Sequence, residues 1–298
     1  MEGKFIVCTD SGCDFKVEDF ERYSIFAMPL KYNLNGAEYE DTMRNEDCHT
    51  FYEGMRAGNT PKTSQANTVQ FTEFWEPILE KYGLPIVHIA LGSAISGTYN
   101  SGVMAAEELK EKYPSAPVYV VDSTLASIGY GILAARAAEM RDEGATAQEC
   151  IAWLEENKPN MHAYYTTDDL VYLYRSGRVS KTSAMLANAL NICPILNLDL
   201  AGHLLVQDKV RGTKKAIKKI HEYVEENVID PQDQIAYICH SDIPERAQAF
   251  GEEIKEKFGF KGTWYTYIGP TIGANCGPQL MAVFFFGKPR TMKGYNGE

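Results

Sequence analysis

Apolar runs alternate with amphipathic segments through the first half of the chain. Short runs of β-branched and other apolar residues between turn signals are typical of buried strands. They predict strands over residues 4–9, 23–32, 86–90 and 118–121. Apolar residues at helical spacing predict helices over residues 47–57, 68–82, 101–112, 127–143 and 147–158. Strands that alternate with helices indicate a parallel sheet covered by helices on both faces.

The second half of the chain has a different order of elements. Strands are predicted over residues 161–166, 193–198, 204–208, 234–240, 262–268 and 281–286. Helices are predicted over residues 168–176, 181–191, 214–227 and 244–258, and a glycine-rich turn over 272–278. The turn Ala201-Gly202-His203 joins two of the strands as a hairpin. This half should therefore hold a mixed sheet.

The segment Lys158-Pro159-Asn160 interrupts the pattern between the two halves. We therefore predict an α/β fold of two domains. Residues 1–158 should form a three-layer α/β/α domain around the parallel sheet. Residues 159–298 should form a second α/β domain around the mixed sheet.

Residues 91–102 are rich in serine, threonine and glycine at the point where a strand ends and a helix begins. Free amide groups at a helix start, with the hydroxyls of Ser93, Ser96 and Thr98 beside them, favour an anion. A glycine such as Gly97 lets the backbone come close to a ligand. We expect a carboxylate or a phosphate to bind here.

Other polar turns should lie close to this loop. Residues 9–12 and 122–124 also follow apolar strands, and ligands of parallel α/β sheets bind outside the carboxyl ends of the strands. The segment Pro61-Lys62-Thr63-Ser64-Gln65 is a further hydroxyl-rich turn before a helix. Arg175 and Arg178 flank a glycine break, where two guanidinium groups can grip an acidic group.

Composition narrows the class of protein. The 298 residues carry a net charge of −11, which leaves no basic surplus to neutralise the phosphates of a nucleic acid. No apolar run reaches the ~20 residues that a membrane-spanning helix needs, and no signal peptide is evident. Seven cysteines without CxxC spacing indicate reduced thiols. We therefore expect a cytoplasmic protein without a zinc site.

Two short motifs are interpreted as structural. Asp10 follows the first strand, as in a haloacid-dehalogenase phosphatase, but Gly12 stands where that motif has its second carboxylate. Asp10 and Ser11 should therefore brace the first turn. The segment Gly129-Tyr130-Gly131 fits a degenerate dinucleotide-binding pattern, but it lies inside a predicted helix. Its small residues should instead allow close helix packing.

In their order and spacing, these segments resemble the DegV family of bacterial fatty-acid-binding proteins over almost the whole chain. The motifs that carry the resemblance are Thr9-Asp10-Ser11, Pro61-Lys62-Thr63-Ser64-Gln65, residues 93–100, Val121-Asp122-Ser123, Tyr172-Leu173, residues 176–181, residues 191–196, residues 209–216 and residues 268–273. The resemblance implies two α/β domains with one long-chain fatty acid, such as palmitate or oleate, between them.

Matching motif positions assign roles to particular residues. The resemblance implies that Thr63 and Ser93 hold the carboxylate through neutral hydroxyls, while the acyl tail enters an apolar tunnel. Residues expected near the head group or a partner are Ser64, Ser96, Gly97, Arg178 and Asn275. The chain would have no catalytic residue, metal or cofactor of its own. It would present the bound acid to a separate fatty acid kinase, which makes an acyl phosphate.

The chain departs from the family pattern at two positions. Gly92-Ser93 stands where the family often has two serines, so one donor is lost. Asn275 stands in the last turn where the family often has a histidine. Because an amide cannot become cationic near neutral pH, such a member could bind lipid without serving a kinase.

An enzyme that uses the Ser93 loop, either a small-molecule phosphotransferase or an acyl hydrolase, is the alternative. A serine hydrolase needs a histidine base near its nucleophile, and the sequence shows neither a GxSxG elbow nor a P-loop. The apolar tunnel would be lined by other residues. Candidates are Phe26, Met28, Leu30, Leu125, Ile128, Met185, Leu190, Ile192 and residues 284–286.

Overall fold

The computed structural model describes residues 4–168, 170–179 and 192–291. Its strands are β1 (Ile6–Asp10), β2 (Phe26–Met28), β3 (Lys31–Leu34), β4 (Ala37–Glu40), β5 (Lys62–Thr63), β6 (Ile86–Ala90), β7 (Val118–Asp122), β8 (Met161–Thr166), β9 (Ile192–Leu198), β10 (Leu204–Arg211), β11 (Ile235–His240), β12 (Gly262–Tyr267) and β13 (Met281–Phe286). Its helices are α1 (Val17–Tyr23), α2 (Asn45–Arg56), α3 (Thr68–Tyr82), α4 (Thr98–Lys112), α5 (Ile128–Asp142), α6 (Ala147–Asn157), α7 (Val171–Arg175), α8 (Thr213–Asn227), α9 (Pro244–Phe258) and α10 (Pro270–Cys276).

The two larger sheets come from different halves of the chain. A four-stranded parallel sheet has the order β2-β1-β6-β7, and a six-stranded sheet has the order β10-β9-β8-β13-β11-β12. In the six-stranded sheet β11 and β12 are parallel, and the other neighbours are antiparallel. The predicted α/β fold with one parallel and one mixed sheet is confirmed. The domain limits 1–158 and 159–298 remain a prediction.

Two predicted elements are wrong. The strand predicted over residues 23–32 is two strands, β2 and β3, separated at Pro29, which has no backbone N–H to donate to a ladder. β3 pairs with β4 and β5 in a small antiparallel sheet that was not predicted. The turn predicted over 272–278 is helix α10. The helix predicted over 181–191 lies outside the described residues.

Helix α5 packs between the two larger sheets. Most of its residues are buried, on every side of the helix, which is typical of a helix enclosed by other elements. A Cβ atom on Gly129 would lie 3.1 Å from the Phe284 ring of β13, and one on Gly131 would lie 3.0 Å from the carbonyl oxygen of Cys13. The interpretation of this motif as close helix packing is therefore confirmed.

Asp10 and Ser11 brace the first turn, as predicted. The Asp10 carboxylate accepts hydrogen bonds from the Gly12 amide (3.0 Å) and the Tyr130 hydroxyl (2.6 Å). The Ser11 hydroxyl accepts one from the Leu30 amide at 3.0 Å. All three bonds are buried, and the bond from Leu30 joins the turn to the chain between β2 and β3.

All seven cysteines are buried and form no disulfide. Within the described ranges, no helix combines the length and the apolar character needed to cross a membrane.

His88 is a buried ionisable group in the parallel sheet. Its side chain is 0% exposed, and neither ring nitrogen has a hydrogen-bond partner among the described residues. The ring packs edge-on against Phe71 and Trp75, with 5.3 Å between ring centroids in each pair. Burial lowers the pKa of His88 to about 3, because the imidazolium ion has no solvent or partner there.

We predict that His88 makes the fold sensitive to acid. The unfolded chain takes up this proton near pH 6.5 and the folded chain only near pH 3. The contribution is therefore fully present above the unfolded pKa and is lost as the pH falls. The free energy of unfolding should drop by about 2 kcal/mol from pH 7 to pH 5 through this residue. The free energy of unfolding of His88→Leu, measured with urea, should lack this fall of about 2 kcal/mol between pH 7 and pH 5.

Ile78→Val is the control for this prediction, because Ile78 is a buried residue of the same half of the chain and has no titratable group. This variant should keep the pH dependence of the unmodified protein. A His88→Leu variant with the same dependence between pH 5 and pH 7 would contradict the prediction.

Candidate ligand-binding site

A cavity of about 190 Å³ lies between residues from both halves of the chain. The parallel-sheet half contributes β5, the loop after β6 and the residues just before α5. The mixed-sheet half contributes β8, β9, β10, α7 and α10. Much of the wall is apolar, with Leu91, Leu173, Leu196, Leu198, Leu204 and Ile272 among the lining residues. Such a wall suits an aliphatic ligand, because buried apolar surface is favourable.

Thr63 is held at the cavity wall with its hydroxyl hydrogen free. The side-chain amide of Asn275 donates to Thr63 Oγ1 at 3.1 Å and to the Thr271 carbonyl at 3.0 Å. Both amide hydrogens of Asn275 are thereby used. Within the described part of the chain, Thr63 Oγ1 accepts this bond and donates none, so its O–H is free to donate to a ligand.

Ser96 is a second hydroxyl at the wall that can donate to a ligand. Thr98 Oγ1 accepts a hydrogen bond from the Ala66 amide at 3.2 Å and lies 2.9 Å from Ser96 Oγ. Ser96 Oγ also accepts from the Thr98 amide at 3.2 Å. When Thr98 donates to Ser96, both lone pairs of Ser96 are occupied and its O–H is left for the cavity.

The two donor segments pack against each other. The bond from Ala66 to Thr98 joins the 61–66 segment to the loop after β6. At Gly97 a Cβ atom would meet the end of the Gln65 side chain, so glycine lets the two segments approach with this side chain in place. Ser64 also lines the cavity. Thr63, Ser64, Ser96 and Gly97, which were predicted from different motifs, therefore come together.

Ser93 lies elsewhere. Its amide donates to Asp122 Oδ1 at 3.1 Å and its hydroxyl to Asp122 Oδ2 at 2.5 Å. The Thr124 amide donates to the same carboxylate at 3.0 Å. Ser93 is not among the residues that line the cavity. The structure thus does not place Ser93 beside Thr63, and it uses the Ser93 hydroxyl to attach the loop to the end of β7.

A second cavity, here called the cationic mouth, adjoins the end of the first cavity that carries Thr63, Ser64 and Ser96, here called the hydroxyl end. The cationic mouth, of about 290 Å³, shares Thr63, Arg178 and Asn275 with the first cavity and is also lined by Lys62 and Arg175. Arg178 is half-buried, and burial lowers the pKa of its guanidinium. It forms no ion pair with a described carboxylate. An anionic group at this junction would be attracted to the guanidinium of Arg178.

Helix α10 carries Asn275 and is fixed by two buried carboxylates. The Gly269 amide donates to Asp14 Oδ1 at 2.7 Å, and the Thr271 hydroxyl donates to Asp41 Oδ2 at 3.1 Å. Burial is the main cause that raises the pKa of Asp14 to about 7, although the nearby ammonium group of Lys16 opposes it. These bonds hold the first turn of α10 against the parallel-sheet half.

Two residues of the cavity wall were not predicted from the sequence. Thr271 and Tyr165 also line the cavity. Pro270 at the first helical position and Gly277 beyond the last turn were the signals that could have predicted α10, and with it Thr271. Tyr165 gave no signal, because it occupies one position in an otherwise ordinary buried strand.

The tunnel candidates separate into wall and core. Leu30 lines the cavity, whereas Met28, Leu125, Ile128, Phe284 and Phe285 are buried in the core and do not line it. Phe26, Ile192 and Phe286 are partly buried and also lie outside the wall. Met185 and Leu190 lie outside the described residues.

The chemistry around Ser93 does not favour the enzyme alternative. The partner of its hydroxyl is the Asp122 carboxylate, and no histidine among the described residues contacts it. His88 is enclosed in the core, and His240 Nδ1 accepts a bond from the Ile243 amide. In the part of the chain that the structure describes, no three His, Cys, Asp or Glu side chains are grouped to hold a metal ion.

Known proteins share both the sequence pattern and this architecture. The sequence model of the family described as "Uncharacterised protein, DegV family" matches residues 4–288. A DegV domain-containing protein of Clostridium perfringens is 39% identical over 285 residues, 95% of this chain and 98% of that protein. A DegV lipid-binding protein from Thermotoga maritima is 28% identical, with a TM-score of 0.81 over 97% of this chain and 100% of that chain.

A solved structure of DegV, a fatty-acid-binding protein from Bacillus subtilis, is also 28% identical. Its TM-score is 0.82, over 96% of this chain and 100% of that chain. The chain therefore belongs to the DegV family, and the resemblance inferred from motif order is confirmed.

We predict that Asp122 orders the loop that carries Ser96. Asp122→Ala removes the acceptor of three hydrogen bonds and leaves the Ser93 and Thr124 amides without their partner. The free energy of unfolding should fall by about 2 kcal/mol. Hydrogen exchange in residues 92–98 should become faster.

Glu111→Ala is the control for the Asp122 substitution. Glu111 is exposed on α4, so this change should leave both stability and exchange in the loop unaltered. Slow exchange retained in Asp122→Ala would show that the loop is ordered by other contacts.

Proposed function

We propose that this chain binds a long-chain fatty acid, such as palmitate or oleate, in the cavity between the predicted domains 1–158 and 159–298. The observation that supports this most is the division of the cavity wall into a leucine-rich part and a hydroxyl-bearing part beside a cationic mouth. Each buried methylene of an acyl chain contributes ~0.8 kcal/mol. The lipid-binding relative from Thermotoga maritima and the fatty-acid-binding relative from Bacillus subtilis support the same class of ligand.

In this proposal the carboxylate lies at the hydroxyl end of the cavity. Thr63 and Ser96 donate to it, and Arg178 supplies a countercharge at the junction with the mouth. Asn275 orients the Thr63 hydroxyl and does not itself donate to the ligand, because its amide hydrogens are already used. Ser93 does not contact the carboxylate; its bond to Asp122 fixes the loop that carries Ser96. The chain is then a carrier rather than an enzyme, since no side chain in this arrangement reacts with the ligand.

We expect the protein purified from bacterial cells to contain a fatty acid in its lipid extract. After delipidation, Thr63→Ala and Ser96→Ala should each weaken palmitate binding by about tenfold, because each removes a donor to a buried charged group. Titration calorimetry measures this loss. Ser93→Ala should have a smaller effect, since its hydroxyl contacts Asp122.

Ser115→Ala, in an exposed loop, is the matched control and should bind palmitate normally. Absence of fatty acid from the extract, together with no binding of palmitate or oleate, would reject the proposal. Equal losses in Ser93→Ala and Ser96→Ala would reject only the assignment of the donors.

The proposal extends to a partner enzyme. The acid is presented to a separate fatty acid kinase, and the resulting phosphoryl group would lie near Lys62, Arg175 and Arg178 at the mouth. Cations there suit a doubly charged group. Asn275 occupies the place of the family histidine, and an amide cannot supply a positive charge.

Asn275→His should therefore raise the rate at which a bacterial fatty acid kinase forms acyl phosphate from the loaded protein and ATP. Asn275→Gln is the control, because it keeps an amide and should not raise the rate. Acyl phosphate formation can be followed by trapping with hydroxylamine. If neither the unmodified protein nor Asn275→His supports the reaction, the kinase role is wrong and fatty acid binding is untouched.

A further inference from the structure

Strand β7 forms an open edge of the parallel sheet. It pairs with β6 on one side, and no described strand pairs with its other side. Its sequence Val118-Tyr119-Val120-Val121 is apolar; the first three residues are half-buried and Val121 is buried. Edge strands of stable monomers are usually blunted by lysine, proline or a bulge, and β7 has none of these within its length.

The outward hydrogen-bonding groups of β7 can be identified from its ladder with β6. The Ile86 amide donates to the Pro117 carbonyl, and the Ser123 amide donates to the Ala90 carbonyl. Odd-numbered residues of β7 therefore direct their backbone groups toward β6, and even-numbered residues direct theirs outward. The Asp122 carbonyl accepts a bond from Lys158 Nζ at 2.8 Å. The amides and carbonyls of Val118 and Val120 are left at the open edge.

A groove runs along this edge between helices α4 and α6. Its volume is about 370 Å³, and its walls include Val103, Glu107 and Lys110 of α4 and Ile151 of α6. Val103 is 41% exposed although it is apolar. The groove therefore combines backbone groups that have no partner among the described residues, exposed apolar surface, one charge of each sign on α4 and Glu155 on α6.

Strand β12, at one edge of the mixed sheet, differs from β7 because it is partly covered. The carbonyl of Tyr267 at the end of β12 accepts a bond from Lys16 Nζ at 2.9 Å, and the Thr266 hydroxyl donates to the Asp14 carbonyl at 2.9 Å. Residues from the other half of the chain thus cover part of β12. Compared with β12, strand β7 is therefore more open to pairing with another strand.

We propose that the β7 edge pairs with the same edge of a second copy of this chain, in an antiparallel and two-fold symmetric dimer. Placing the axis at Tyr119 sets Val118 opposite Val120 of the second copy, so that their amides and carbonyls bond in both directions. The two parallel sheets become one continuous sheet. The α4 helices then run antiparallel across the seam, which brings Glu107 of each copy toward Lys110 of the other.

A second copy is the occupant that this charge arrangement favours. Glu107 and Lys110 lie one helical turn apart and form an exposed ion pair at 3.2 Å, so an antiparallel copy of the same helix can exchange these contacts with its own pair. A partner of uniform charge would meet at least one like charge, because Glu107, Glu155 and Lys110 all line the groove. Isologous contacts of this kind are the commonest in homodimers.

Analytical ultracentrifugation up to millimolar concentration should show a monomer–dimer equilibrium. Val120→Pro removes an outward N–H without removing a bond to β6, so it should abolish the dimer. Thr263→Pro is the matched control, because the N–H of Thr263 faces away from β11 at the other edge. This variant should dimerise normally. Far-ultraviolet circular dichroism checks that both variants are folded.

Charge variants test the proposal without altering the strand. Lys110→Glu should weaken the dimer by about tenfold, and the double change Glu107→Lys with Lys110→Glu should restore it. A mixture of Lys110→Glu with Glu107→Lys should form heterodimers in preference to either homodimer. A protein that stays monomeric at millimolar concentration overturns the proposal. A dimer that is insensitive both to Val120→Pro and to the charge changes also overturns it, because another surface then forms the contact.

Discussion

The packing of helix α5 between two sheets is the contact on which the rest of the structure depends. Gly129 and Gly131 bring the helix backbone against Phe284 of the mixed sheet and against the Cys13 carbonyl beside the parallel sheet. A single apolar cluster consequently contains residues of both sheets. The chain just before the helix, at Ala126 and Ser127, lines the cavity. The depth of the helix in this sandwich therefore sets the space that remains for a ligand.

The polar end of the cavity shows how an acidic chain can present donors to an anion. The carboxylates near the site are already engaged: Asp122 binds the loop of Ser93, and Asp14 and Asp41 bind the start of α10. These three carboxylates therefore orient other groups of the protein. Thr63 Oγ1 accepts a bond from Asn275, and Ser96 Oγ accepts one from the Thr98 amide, so each hydroxyl can offer its hydrogen to a ligand. This explains how neutral side chains could hold a carboxylate in a chain of net charge −11.

Much of this was predictable from local sequence pattern. The alternation of strands and helices, the mixed sheet, the first turn at Asp10 and the packing role of Gly129 follow from periodicity and turn chemistry, which act over a few residues. The exceptions at β3 and α10 have a local cause that was overlooked, since Pro29 ends a strand and Pro270 begins a helix. Motif order was enough to indicate the family, because many weak matches in sequence together are specific.

The sequence by itself determined which residue types gather at the cavity: hydroxyls at Thr63, Ser64 and Ser96, and a cation at Arg178. Only the tertiary structure decided which serine faces the cavity. Ser93 and Ser96 have the same side chain and lie in the same loop, so no local pattern distinguishes them. Asp122, 29 residues further along the chain, makes the difference by accepting the Ser93 hydroxyl. Such a choice depends on a contact between distant segments, and that contact exists only once β6 and β7 lie side by side.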